Sequence, residues 1–191
     1  MKKVLLIILI AIIASTSVFA DSFSGFGISG IYDNPLENFE LGFYTNYYYT
    51  FPLEGTCVNM GFGSRLDLSF SIPVDTFSFA FLSGFAIDAE LSKRIDLYFI
   101  LGPQVTILMP YDAPDSIIGI GGGLDAGLTC YFNDERSIGG SFGIANYFSA
   151  ILPDVGDAYF GYYGGIYAGL TVRFGPTVFD TLPPGYSYII L

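Results

Sequence analysis

The chain has 191 residues, no histidine and no tryptophan, and 18 acidic against 7 basic side chains. Without an imidazole there is no Ser-His-Asp or Cys-His catalysis, no histidine metal site and no histidine pH sensor. The acidic balance excludes nucleic acid as a partner, since phosphates demand a basic surface, and it opposes docking on anionic lipid head groups.

Residues 1–20 read as a secretory signal peptide. Lys2 and Lys3 give a basic start, residues 4–13 are continuously apolar, and Val18-Phe19-Ala20 offers a small-residue cleavage site before Asp21. A retained N-terminal helix is the alternative. No lipobox cysteine stands near the junction. The remaining chain is long enough for one domain. It keeps 5 basic and all 18 acidic residues, a net charge of −13.

Eight alternating segments follow. The first, 23–32, is glycine-rich with weak facing. In 39–51, Phe39, Leu41, Phe43, Tyr47, Tyr49 and Phe51 share a face. In 58–72, Val58, Met60, Phe62, Leu66, Leu68, Phe70 and Ile72 lie on one side, and Asn59, Gly61, Gly63, Arg65, Asp67, Ser69 and Ser71 on the other. In 77–91, Phe77, Phe79, Phe81, Phe85, Ile87, Ala89 and Leu91 repeat the pattern. Segment 95–109 presents Ile95, Leu97, Phe99, Leu101, Val105, Ile107 and Met109. Pro103 interrupts it, and because proline cannot donate to a ladder, a bulge is expected there. Segment 117–132 turns Ile118, Ile120, Leu124, Ala126, Leu128, Cys130 and Phe132 outward. Segment 137–148 does so with Ile138, Phe142, Ile144 and Phe148. The eighth, 160–174, presents Phe160, Tyr162, Ile166, Ala168, Leu170, Val172 and Phe174.

Successive strand side chains point to opposite faces. Strands of soluble proteins average five or six residues, and these are about two to three times longer. After residue 20 no stretch is a clean helix-length apolar span. Lipid admits only helices or closed barrels, because every backbone polar group must be satisfied internally. The predicted fold is therefore all-β: a closed antiparallel up-and-down transmembrane barrel of eight strands over residues 21–174, lipid outside and a packed polar lumen inside. A polytopic helical protein, or a soluble periplasmic lipocalin-like barrel with its bulky residues inside, is the competing reading.

Connections alternate between tight turns (52–56, 91–94, 133–136) and mostly longer loops (33–38, 73–76, 110–116, 150–159). Short periplasmic turns and longer outer loops are the rule for outer-membrane barrels. The presumed outer loops carry Asp33, Glu37, Asp75, Asp112, Asp115, Asp154 and Asp157 and no base. The turns carry Lys93, Arg94 and Arg136. Tyr47, Tyr48, Tyr49, Tyr159, Tyr162 and Tyr163 suit interfacial aromatic girdles.

The last strand, with Tyr167, Gly169, Val172 and Phe174, looks like the assembly signal of outer-membrane barrels: a polar residue, a glycine two later, then hydrophobics ending in an aromatic. The chain from 23 to 174 resembles the small eight-stranded barrels related to the OmpX, OmpW and OmpA transmembrane domains. That resemblance implies residence in the bacterial outer membrane, contact with its lipid, and handling by the barrel assembly machinery. It departs from those barrels in its tail, residues 175–191, which could plug the lumen, lie on the periplasmic rim or add a strand.

The lumen-facing charges are expected to be Arg65, Asp67, Asp88, Glu90, Asp96, Asp125 and Arg173. With Arg65 placed opposite Gly84, Asp88 and Asp125 fall near its guanidinium, making Arg65 the central counter-ion. Glu90 falls opposite Asp96, a repulsive pair unless one is protonated or a cation intervenes. Arg173 is the lumen base expected at that level. Such a set could serve a proton or cation path or a paired-carboxylate hydrolase. An eight-stranded barrel is just wide enough for its own side chains, which favours a structural ion-pair network. The acids of 111–115 and 153–157 lack the spacing of the twelve-residue calcium loop. Gly121-Gly122-Gly123 is followed by neither helix nor lysine and is no phosphate cradle. Cys57 and Cys130 fall on opposite faces and are expected to be unpaired. No cofactor or metal is expected. The expected function is non-enzymatic, an envelope-structural or surface-interaction role. The alternative is a narrow channel for small or apolar ligands, opening laterally near Pro103.

Overall fold

A computed structural model describes residues 21–33, 38–53, 56–71, 76–110, 116–152 and 158–174. The expected signal peptide, the tail from 175 to 191, and the loop acids Glu37, Asp75, Asp112, Asp115, Asp154 and Asp157 lie outside these residues. Eight strands run in chain order: β1 Asp21–Asp33, β2 Asn38–Pro52, β3 Val58–Ser71, β4 Thr76–Ser92, β5 Ile95–Pro110, β6 Ile117–Tyr131, β7 Ile138–Leu152 and β8 Tyr159–Phe174. Each pairs antiparallel with its sequence neighbour. β1 also pairs with β8, from Ser22↔Phe174 to Asp33↔Tyr163, which closes the barrel and leaves no edge.

The side-chain distribution is that of a globular protein turned inside out. Phe62, Phe81 and Leu170 are exposed, and Leu66, Phe79, Phe99, Ile107, Leu124 and Val172 point the same way, half-covered by neighbours on the outer face. Arg65, Asp88 and Asp125 point inward and are buried. In water such an apolar girdle would be strongly unfavourable. In lipid it is the arrangement that keeps the strands' charged side chains away from the acyl chains. This facing makes the chain a membrane-spanning barrel and removes the lipocalin-like reading, which needed the phenylalanines inside.

Several expectations are corrected in detail. No bulge forms at Pro103. The β4–β5 register is the same on both sides of it, Leu82↔Gln104 and Phe85↔Leu101, and the only shift lies at Glu90/Ser92, beside the turn. Pro103 is accommodated instead by a gap in the ladder where Ser83 and Gly84 meet Gly102 and Pro103. Neither Gly84 nor Gly102 could carry a Cβ without meeting the other strand's backbone. The seventh strand continues to Leu152. The run Ala150-Ile151-Leu152 hides its end in the sequence, because Ile151 is an apolar residue that faces inward. Tyr48 and Tyr163 do not join the girdle; both are buried in the lumen. Asp33 is the last residue of β1 rather than a loop acid, and it is buried. Cys57 and Cys130 are free and half-buried.

Outward facing is directly testable. Ile166 is among the most exposed apolar residues, at 69 %, and neighbours Tyr167 at the level of Arg65. Ile166→Arg should cost roughly 2–4 kcal/mol of folding stability in bilayers, the penalty of a charge near the midplane. Urea unfolding in lipid vesicles measures it, and an unchanged midpoint would contradict the facing.

Candidate functional site: a filled lumen

At mid-height Arg65 of β3 is fully buried. Its Nε donates to Asp67 Oδ2 at 2.7 Å and its Nη2 to Asp67 Oδ1 at 2.8 Å, while Nη1 lies 3.3 Å from Asp125 Oδ1 on β6. The guanidinium also lies over two adjoining rings, with Cζ 4.5 Å from the Tyr44 centroid and 3.9 Å from that of Tyr167, the two centroids being 4.6 Å apart. A desolvated cation over a phenol face gains about 2 kcal/mol. The carboxylates are held in turn. Tyr147 Oη donates to Asp67 Oδ2 and Tyr167 Oη to Asp125 Oδ1, each at 2.5 Å. Tyr98 Oη shares a proton contact of 2.5 Å with Tyr167 Oη, Asn46 Nδ2 donates to Tyr98 Oη at 3.2 Å, and Tyr44 Oη meets Ser141 Oγ at 2.9 Å. Six of the eight strands thus contribute to one layer that crosses the lumen.

Glycine makes room for these rings. A Cβ on Gly127 would stand 2.5 Å from Tyr167 Oη and 2.8 Å from Tyr98 Oη. One on Gly143 would collide with the same Tyr167 hydroxyl and with the Ala126 carbonyl, and one on Gly169 would stand 2.6 Å from Tyr44 Oη. The Tyr167 and Gly169 of the expected assembly signal are therefore lumen-packing residues, whereas Val172 and Phe174 face outward.

A second layer closes the end where β1 begins and β8 finishes. Glu90 and Asp96 are direct cross-strand partners, as expected. Two guanidiniums separate them. Arg173 Nη2 donates to Glu90 Oε1 at 2.9 Å and its Nη1 is 3.5 Å from Asp96 Oδ2. Arg136 Nη1 is 3.3 Å from Glu90 Oε2, and its Nη2 donates to Asp96 Oδ1. Arg173 is thus not the sole base at this level. Arg136, assigned to a turn by sequence, adopts φ 55° and sends its buried side chain back into the barrel. The left-handed backbone is uncommon for a non-glycine residue, and the requirement for a second counter-ion explains it. By contrast Arg94 and Asp134, 2.5 Å apart on the turns, are exposed and contribute little.

Asp88 departs from expectation. Arg65 lies opposite Leu82, not Gly84, so Asp88 falls opposite Asn59, whose Nδ2 donates to its Oδ2 at 3.2 Å. Asp88 belongs between the two ionic layers rather than beside Arg65. Sequence reasoning also passed over Glu40. Its place between the outward Phe39 and Leu41 puts it on the inner face, and it is buried on β2 with its Oε2 accepting from Ser69 Oγ at 2.5 Å and from Ser78 Oγ. Alternation alone sufficed to find it. Among the described residues no group of three or more acidic, cysteine or histidine side chains is placed to hold a metal.

No protein-family model matches the sequence and no curated protein is similar to it. The fold is shared with solved structures. Neisserial surface protein A aligns with a TM-score of 0.52 at 12% identity, over 81% of this chain and 97% of its own. OprG, an outer membrane protein from Pseudomonas aeruginosa, aligns with a TM-score of 0.51 at 10% identity, over 82% and 97%. The outer membrane enzyme PagL aligns with a TM-score of 0.50 at 11% identity, over 77% and 97%. The chain has the fold of the small eight-stranded outer-membrane barrels, as the sequence resemblance implied.

Two stability predictions follow from the lumen. Arg65→Ala leaves Asp67 and Asp125 buried without their cation and should cost about 3–5 kcal/mol, whereas Lys93→Ala, in an exposed turn, should stay within about 0.5 kcal/mol. Equal melting shifts in detergent would remove Arg65 from its central place. Gly143→Ala should cost about 1–3 kcal/mol by overpacking, and Tyr167→Phe should recover part of that loss by removing the hydroxyl the new methyl meets; double-mutant thermal unfolding reads the coupling.

Proposed function

We propose that this chain is a non-enzymatic β-barrel of the bacterial outer membrane, serving the envelope as structure and carrying its outer loops as an interaction surface. The observation that carries this reading is the filled lumen. Arg65 with its two carboxylates and two rings, and the Arg136–Arg173–Glu90–Asp96 quartet, form two dry cross-sections with side chains almost wholly buried. A solute would have to break buried ion pairs at both levels, and each broken pair costs several kcal/mol. A catalytic site would need an accessible cleft, and the carboxylates here are consumed by structural partners. Lipid of the outer membrane is the solvent of the apolar face, and the barrel assembly machinery is the partner implied by the pattern ending at Phe174.

A narrow lateral path for small apolar ligands is the second reading. It is favoured by the ladder gap at Ser83, Gly84, Gly102 and Pro103, and opposed by Leu82 and Gln104, buried immediately behind it.

Planar-bilayer recording separates the two. The wild-type barrel should give no steady conductance, and opening both layers together, with Arg65→Ala and Tyr167→Ala in one and Arg136→Ala and Arg173→Ala in the other, should produce a measurable one. A conducting wild-type protein, or uptake of an apolar solute that Pro103→Val abolishes, would replace the sealed reading with the transport one.

A further inference from the structure

Charge in the lumen is distributed unevenly along the barrel axis. Of the five bases that follow residue 20, Arg65 is committed to Asp67 and Asp125 at mid-height. Arg136 and Arg173 are committed to Glu90 and Asp96 at the end where β8 finishes, and Lys93 and Arg94 lie in the turn at that same end. The opposite third of the lumen holds no base, yet it buries Glu40 and Asp33. One oxygen of Glu40 accepts from Ser69 and Ser78. The other, Oε1, has no hydrogen-bond partner among the described residues. A buried carboxylate without a counter-charge is among the costliest arrangements a protein can hold.

A further polar side chain points to what neutralises it. Tyr163, 4 % exposed, faces inward on β8 opposite Asp33, and its hydroxyl lies within electrostatic reach of both Asp33 and Glu40. That hydroxyl has no hydrogen-bond partner among the described residues. Glu40 and Asp33 are diagonal neighbours on β2 and β1, since Asp33 pairs with Asn38 and Ile31 with Glu40. All three groups offer oxygen, and two of them are carboxylates. Such a set selects hard cations, and its double negative charge matches a divalent one.

We propose that the outer third of the lumen binds a hard divalent cation of the calcium class, with the Glu40 carboxylate as its anchoring ligand and Asp33 and Tyr163 supplying further oxygens. The ion does for this level what arginine does for the other two: it closes the charge of a buried carboxylate layer.

The test uses the mature protein folded in detergent, with calcium, with chelator, and with terbium as a luminescent substitute. The chain has no tryptophan, so terbium emission is sensitised by tyrosine alone. Calcium at a hundredfold its dissociation constant should raise the wild-type melting temperature by roughly 5–10 °C. Glu40→Gln should abolish that rise and, in chelator, should melt no lower than the wild type, because it removes an uncompensated charge. Tyr163→Phe should weaken terbium binding several-fold with the fold intact, so the inference stays testable even if Glu40→Gln does not fold. Asp112→Asn with Asp115→Asn, acids that the sequence pattern assigns to a connection between strands, should keep the wild-type response. Three results would overturn the proposal: a wild-type melting temperature indifferent to calcium, an equal response in Glu40→Gln, or a response lost in the loop variant. A Glu40→Gln protein more stable than the wild type at saturating calcium would also overturn it, by showing that a proton neutralises Glu40.

Discussion

The neutralisation of Arg65 is the constraint on which the rest of the barrel depends. A membrane barrel gains little from the hydrophobic effect in its interior, because its greasy face is already dissolved in lipid. What holds the inside together is the pairing of polar groups that have nowhere else to go. Arg65 is fully buried, so it must find its partners across the lumen. Asp67 comes from its own strand, Asp125 from β6 and the two rings from β2 and β8. Those partners then need partners of their own, and Tyr147, Tyr98, Asn46 and Ser141 supply them. The low dielectric that makes each unpaired group expensive makes each satisfied one strong. The layer is therefore coupled, and its members act as a unit.

The quartet at the other end solves a different problem by the same means. The tight turn between β4 and β5 places Glu90 opposite Asp96, and adjacent carboxylates repel. An alternating ring of two carboxylates and two guanidiniums converts that repulsion into four attractive contacts. Arg173 arrives from β8, near the end of the last strand. Arg136 arrives from a turn residue in a left-handed backbone conformation. A strained conformation persists where the surroundings over-determine it, and two buried carboxylates provide that determination. The closing strand and a neighbouring turn are thus tied to β4 and β5 across the lumen, which couples closure of the barrel to satisfaction of its charges.

The fold was legible in the sequence because alternation is a local property. Each strand from 58 to 174 shows its lipid face in every second residue, and the bounds agree with the structure to within a few residues except at the end of β7. Facing, and hence the inward placement of Arg65, Asp67, Glu90, Asp96, Asp125 and Arg173, follows from parity alone. What parity cannot supply is register between strands. A shift of two residues preserves every facing assignment yet moves Asp88 from opposite Gly61 to opposite Asn59, farther from Arg65. Nor can it assign residues outside strands. Arg136 sits in a turn, and only the charge balance of the facing pair could have suggested that its side chain folds inward. Tyr48 and Tyr163 were misplaced for a related reason. Tyrosine suits both an interface girdle and a polar lumen, and composition favours the first while parity gives the second.

The interior and the lipid face are linked through the small residues. Gly127, Gly143 and Gly169 are bare because tyrosine hydroxyls and, at Gly143 and Gly169, a neighbouring strand's carbonyl occupy the space a Cβ would need. Where such residues and alanines cluster, the outer wall is thin, and the surface between the large side chains is hollowed. One trough of about 480 Å³ runs past Ile28, Gly30, Phe39, Leu41, Phe43 and Ala168, and another of about 530 Å³ past Leu97, Ala126, Leu128, Phe142 and Ile144, with Ile166 bordering both. In a soluble protein such apolar hollows would invite a partner. In a bilayer they are filled by acyl chains at no desolvation cost, so the sequence is free to spend glycine on the lumen side. The crowding of rings inside and the relief of the outer surface are two consequences of one choice, a barrel narrow enough to seal itself with its own side chains.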